Sequence, residues 1–260
     1  MSNNDTILET IRRRYSNALS TSDTVDAFFD LMQRRLKIQP CDIILADSIC
    51  SDDLNTIEYP ERAHEMLGPF KLGGLDGFPF AGLTGMRAFA HHVPADGAVF
   101  VFQGPHIGVS KEGDTGVILR PGQTRHSSCC GAIRAAVDKL SSGQIVPGAL
   151  TELDYQQNTI EQVLLPHRDR ILRARCAMAE ATDITYSAIE ERIDVLASRT
   201  VFPCRYLIIM GGVPINSDYD VGSFCSFRRL LCVDLTTGRR EDWLDELLRV
   251  KAAGWETFAG

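Results

Sequence analysis

The chain reads as an α/β protein with a mostly parallel central sheet flanked by helices and an N-terminal helical extension. Three observations predict this. Short apolar runs at Ile43-Ile44-Leu45-Ala46, Ala98-Val99-Phe100-Val101-Phe102 and Arg205 to Met210 have the length and composition of strands buried on both faces. Stretches of helical period lie between and around them. Residues with chemistry to offer follow the run ends: Cys50 after the first run, His106 after the second, and Cys130 where a helical pattern starts. In a parallel sheet those places converge on the carboxyl edge.

The 260 residues suffice for one large α/β domain or two small ones. With no repeat, low-complexity tract or linker, the economical reading is a helical arm over 1–40 and an α/β unit over 41–260 in a single structural domain. A net charge of -7 argues against nucleic acid as a partner. Arg12-Arg13-Arg14 and Arg34-Arg35 read as solvated helix faces. No apolar run approaches the roughly 20 residues of a membrane span, so no membrane is expected. The polar N-terminus lacks a signal-peptide core. Eight cysteines without a CxxC pair suggest a reducing compartment, the cytoplasm or a reducing organelle.

In chain order, residues 5–19 carry Ile7, Leu8, Ile11 and Tyr15 on one helical side. A second helix starts at a Ser22 or Asp23 cap, runs an apolar stripe from Val25 to Leu36, and stops before Pro40. These two helices cover either their own sheet or a second subunit. The run at 42–48 is the first strand. The Gly- and Pro-rich stretch from Gly68 to Gly85 reads as a loop lining a small pocket. No strand precedes it in the register a dinucleotide loop requires. Met86 to His92 reads as a helix leading into the strand at 98–103. After Cys130, Ile133, Ala136, Val137 and Leu140 fall at i, i+3, i+4 and i+7. Residues 152–200 read as helices interrupted at Pro166, the last capped by Thr182 or Asp183. Strands follow at Arg205 to Met210, ended by a turn at Gly211-Gly212 and Pro214, and at Arg229 to Leu235. Glu241 to Val250 closes as a helix.

Cys50 and His106 leave strand ends, and Cys130 stands at a helix N-terminus, where the helix dipole lowers a thiol pKa. Two thiolates and one imidazole make a three-ligand zinc set with a fourth position open, the arrangement of catalytic zinc. Their wide separation in sequence matches no short zinc motif. A thiol hydrolase with Cys130 as nucleophile and a nearby His as base is a competing reading. It requires no metal.

The pieces Phe78-Pro79-Phe80-Ala81-Gly82-Leu83-Thr84-Gly85, Ala88-Phe89-Ala90-His91-His92-Val93-Pro94, Gly104-Pro105-His106-Ile107-Gly108, Arg120-Pro121-Gly122-Gln123 and Cys130-Gly131-Ala132 resemble the limiting-CO2-inducible protein B/C family. The resemblance runs from about Cys41 to Leu235 and matches several motifs in order. It implies a fold and zinc site similar to the β-carbonic anhydrases, with CO2 and bicarbonate as substrates and a homodimer clasped by the N-terminal helices. It also implies that Cys50, His106 and Cys130 hold Zn2+, and that Asp52 is the carboxylate of an Asp-Arg dyad that aims a zinc-bound hydroxide at CO2. Some family members are inactive, so a zinc-containing interaction subunit is the alternative.

The chain departs from ordinary β-carbonic anhydrases in two places. Leu54 stands where their Arg follows the Asp by two residues, and Arg87 is taken as the replacement. Their His-x-x-Cys-Gly is absent, because Ser127 lies three residues before Cys130. His126 with Cys129 keeps the spacing without the Gly and is the lesser alternative to His106 with Cys130. On this reading Phe78, Phe80 and Leu83 form an apolar wall that admits CO2, and His92 or His91 shuttles protons. By residue type alone Phe78 and Phe80 are more often core residues, and the two histidines more often capping or core residues. Two thiolates cancel the charge of the metal, so activity is expected to favour alkaline pH.

Overall fold

The computed structural model describes residues 3–52, 55, 57, 59–94, 96–218 and 223–249. Leu54 lies outside them. The elements are α1 (Asn3–Arg14), β1 (Ala18–Ser20), α2 (Thr21–Leu36), β2 (Ile43–Ser48), β3 (Leu67–Lys71), α3 (Gly82–Ala90), β4 (Ala98–Gln103), β5 (Ile107–Val109), β6 (Val117–Ile118), β7 (Ser127–Ser128) and α4 (Gly131–Ser142). They continue with α5 (Tyr155–Leu164), α6 (Arg168–Arg173), α7 (Ala177–Ser198), β8 (Tyr206–Ser217), β9 (Phe224–Asp234) and β10 (Arg240–Asp242). A last helical stretch covers 244–249.

The main sheet has the order β1-β9-β8-β4-β2-β3, with β10 on β9 and β5 on β8. The ladders β3-β2-β4-β8 and β5-β8 are parallel. Those involving β9 are antiparallel. Strand alternation divides the core. Phe100, Phe102, Ile208 and Met210 face α2, whose Phe28 ring lies 4.7 Å from that of Phe100. Val99, Val101, Leu207 and Ile209 face Met86 and Phe89 of α3 and Ile189 and Ile193 of α7. A third cluster, beyond the carboxyl edge, joins α4, α5 and the first half of α7 around Cys50, Ile107 and Cys130.

The N-terminal helices cover their own sheet. Ile11 of α1 and Phe28 of α2 are fully buried, and β1 between them pairs with β9. This packing uses their own sheet, the first of the two surfaces expected for them. The Ser20 side chain caps α2 by accepting from Asp23 N–H, one turn earlier than the expected cap. The glycine-rich stretch starts with a strand, β3. The turn expected at Gly211-Gly212 is a register shift inside one continuous strand, β8. A bulge can absorb what Gly and Pro elsewhere would break. Thr182 caps nothing, since α7 begins at Ala177 and the Thr182 hydroxyl donates to Met178 O inside it.

Candidate metal centre

Ser48 and Gln103 are register partners at the ends of β2 and β4. Cys50 follows the first by two residues and His106 the second by three, so both emerge at one edge. Cys130 arrives there as the N-cap residue of α4. The ligand atoms of Cys50, His106 and Cys130 all lie within 4.8 Å of one another, and all three residues are buried. The two sulfurs are 3.9 Å apart.

Two glycines permit this close approach. A Cβ on Gly104 would stand 1.7 Å from Gly212 O, and one on Gly77, at φ +78°, would stand 2.4 Å from Gly104 O. The loop through Gly77 is drawn in further by the Ser48 hydroxyl, which donates to Gly77 O at 2.8 Å. It delivers Asp76 N–H to the Cys50 sulfur at 3.1 Å.

His106 is fully buried. Its Nδ1 lies 2.6 Å from Asn216 Oδ1, an acceptor, so Nδ1 carries the proton and donates. β5, directly after His106, pairs with the outer end of β8 in the register Gly108 to Asn216, and this sets the contact. Nε2 is then the lone-pair nitrogen, and it is buried without a hydrogen-bond partner. That orphaned donor atom beside two sulfurs fits a zinc ion, with an amide supporting the imidazole from behind.

The electrostatics are those of a shared proton. The hydrogen bond from Cys130, opposed by burial and reinforced by His106, draws the Cys50 thiol down to about 4. The same hydrogen bond, with burial and the charge of Asp76, pushes Cys130 well above the usual thiol range. Burial opposes a charge on His106, but the Cys129 and Cys50 sulfurs outweigh it and raise its pKa. Asp76 is fully buried, and neither carboxyl oxygen has a hydrogen-bond partner. Burial, then the Cys50 charge, raises its pKa well above the carboxylate range.

Asp52 lies two residues beyond Cys50, and its partner is Arg120. One guanidinium nitrogen, NH2, reaches both carboxylate oxygens at 2.8 and 3.0 Å, with the side chains 13% and 17% exposed. The other terminal nitrogen donates to Ser127 Oγ at 2.6 Å and Ser128 O at 3.1 Å.

Several expected placements are corrected. Arg87 is exposed on α3 and is not the arginine on Asp52. α3 starts near the carboxyl edge, where Ala81 N–H donates to Leu72 O. The chain then returns to the start of β4 beside Asp42, at the amino edge. His92 and His91 lie on that return, both exposed, and are not brought to the cluster. Phe78, Phe80 and Leu83 pack toward α5 and α7. Phe78 sits 5.2 Å from Phe80 and under Arg192 at 5.3 Å, while Phe80 meets Tyr155 at 6.2 Å. Phe78 and Leu83 line a cleft of about 630 Å³ with Val163 and Val195. Cys50, His106 and Cys130 are not among the residues that line it. Cys129 is fully buried, 3.6 Å from both His106 Nδ1 and Asn216 Oδ1, and so backs the imidazole. His126 stands instead by Glu112.

Comparison with known proteins bears on this geometry. The sequence profile of the limiting CO2-inducible proteins B/C β-carbonic anhydrases matches residues 19–234. No curated protein matched the chain. Among solved structures, PtLCIB4, a homolog of the limiting CO2-inducible protein LCIB, superposes with a TM-score of 0.77 at 26% identity, covering 90% of this chain and 98% of that one. A substituted form of PtLCIB4 gives 0.79 at 26% identity over 92% and 98%. LCIB itself shares the fold, with a TM-score of 0.64 at 18% identity over 88% and 95%.

Proposed function

Because the chain belongs to the limiting CO2-inducible protein B/C β-carbonic anhydrase family, we propose that it is a zinc-dependent carbonic anhydrase interconverting CO2 and bicarbonate. The observation that carries this reading is the convergence of Cys50 Sγ, Cys130 Sγ and the unpartnered His106 Nε2 on one buried point. Those three atoms would hold the zinc. When bound, zinc acidifies a water molecule and so supplies hydroxide near neutral pH.

The remaining work falls to the chain. Asn216 fixes the tautomer and ring plane of His106. Asp76 N–H holds the Cys50 sulfur in place. Arg120 pins Asp52 by a charge-assisted contact in which one nitrogen is shared between both carboxylate oxygens, while its other terminal nitrogen is anchored on Ser127 and Ser128. Pinned in this way, the Asp52 carboxylate is kept from becoming a further ligand. There it would accept a hydrogen bond from the reacting water and so orient it toward CO2.

Stopped-flow CO2 hydration combined with metal analysis tests this on wild type and on Cys50→Ser, His106→Ala and Arg120→Ala. Zinc near one equivalent with measurable hydration is expected for wild type, and loss of both for the first two variants. Zinc without hydration in wild type would favour the interaction-subunit reading. Hydration surviving removal of the metal would reject the proposal.

A further inference from the structure

Three segments distant in sequence bring Glu112, His126 and Asp218 together. Glu112 lies in the turn after β5, His126 before β7, and Asp218 at the end of β8. Their ligand atoms lie within 4.8 Å of one another. His126 Nε2 is 3.4 Å from Glu112 Oε2 and 3.9 Å from Asp218 Oδ2.

The burial of Asp218 supplies an independent argument. Its side chain is 2% exposed. Its oxygens accept from Lys111 N–H at 3.0 Å and Leu119 N–H at 2.8 Å, which fixes the carboxylate without neutralising it. Among the described residues no lysine or arginine forms an ion pair with it. Buried carboxylates are ordinarily paired with a cation or coordinate a metal. The basic side chain that lies within ion-pair reach of it among the described residues is the His126 imidazole, itself a metal ligand. The side chain of Glu112 is 62% exposed and that of His126 36%, which leaves a path for an ion and room for water ligands.

We infer that Glu112, His126 and Asp218 form a second divalent-cation site, separate from the sulfur-bearing centre, that braces the loop carrying Arg120. One imidazole nitrogen and two carboxylates suit a first-row divalent ion such as Zn2+, Mn2+ or Co2+. The bracing follows from chain neighbours. Asp218 Oδ1 holds Leu119 N–H, next to Arg120, and His126 precedes Ser127, whose hydroxyl accepts from Arg120. A cation across this trio ties both sides of the loop that positions Asp52.

Cobalt titration of the metal-stripped full chain, followed by absorption and equilibrium dialysis, tests the inference. Two equivalents are expected. One carries the intense near-ultraviolet bands of thiolate-to-cobalt charge transfer, and the other shows only weak visible bands. The double variant Glu112→Gln/His126→Ala, with both changes at solvent-accessible side chains, should bind one equivalent with the charge-transfer bands unchanged. Cys50→Ser should lose those bands and keep the sulfur-free equivalent. A wild type saturating at the single thiolate-bound equivalent, a double variant still taking up two, or a Cys50→Ser chain binding no cobalt would overturn it. Absence of the thiolate bands alone in wild type would instead strike at the central zinc site.

Discussion

One nitrogen of Arg120 meets both oxygens of Asp52, at 2.8 and 3.0 Å, across a separation of 68 residues. This bond joins the polar loop after β6 to the segment that leaves β2. It makes Arg120, and not the helical Arg87, the residue on which the direction of Asp52 depends.

Arg120→Ala should therefore lower CO2 hydration by roughly 10- to 100-fold, the usual effect of removing a partner that orients a metal site. Arg120→Lys should restore only part of it, because a single ammonium cannot hold Asp52 and the Ser127/Ser128 anchor at once as the two guanidinium nitrogens do. Arg87→Ala should leave the rate within about twofold. Stopped-flow assays on the three variants, with zinc content measured in parallel, separate the two arginines.

Asn216→Ala should weaken zinc retention about 10- to 100-fold while leaving the fold intact, since it removes the acceptor of His106 Nδ1–H. Competition against a coloured chelator, with circular dichroism as the control, reads this directly. Retention equal to wild type would mean that Cys129 alone orients the ring.

The buried carboxyl of Asp76 gives a pH signature to the metal-stripped protein. Its folded pKa is raised, by burial first and the Cys50 charge second. A group of this kind contributes stability that is fully present below its unfolded value of about 4, and that stability is lost as pH rises toward the folded value. Asp76→Asn, neutral at every pH, escapes that loss. Thermal unfolding of chelator-treated chains should show equal midpoints near pH 4 and a variant higher by a few degrees near pH 7. A pH-independent difference would contradict the assignment.

Phe28→Ala should cost about 3–5 kcal/mol, because a fully buried ring packed on Phe100 leaves a cavity under the sheet. Denaturant unfolding should remain a single transition, since α2 belongs to the same core as β4 and β8. A separate early transition would mean an independently folding arm.

The main strands and the convergence of Cys50, His106 and Cys130 were legible because each follows or opens an element with a clear period. The parts missed lie where period is absent. Arg120 sits in the Arg-Pro-Gly-Gln piece that carries the family resemblance, yet nothing in a polar loop tells which carboxylate it will meet. Asp76 was hidden in a glycine-rich run whose close packing depends on contacts with β2 and the β4 exit. Asn216 is hidden because Gly211-Gly212 and Pro214 read as the end of a strand. β1 is three residues long and owes its existence to the free edge of β9. Phe78 and Leu83 do line a cleft, but its other walls come from α5 and α7, about a hundred residues further along the chain, and none of the three ligands lines it.

Close to the shift at Gly211/Gly212 in its pairing with β9, β8 also passes from one neighbour to another on its other side. Its inner half is laddered to β4 and its outer half to β5, and Gly104, Pro105 and His106 cross the seam between them. Side chains on a strand alternate faces, so one residue added to or removed from the outer half would turn Asn216 away from the imidazole and Asp218 away from the loop it secures. The length of that stretch is consequently fixed to the single residue.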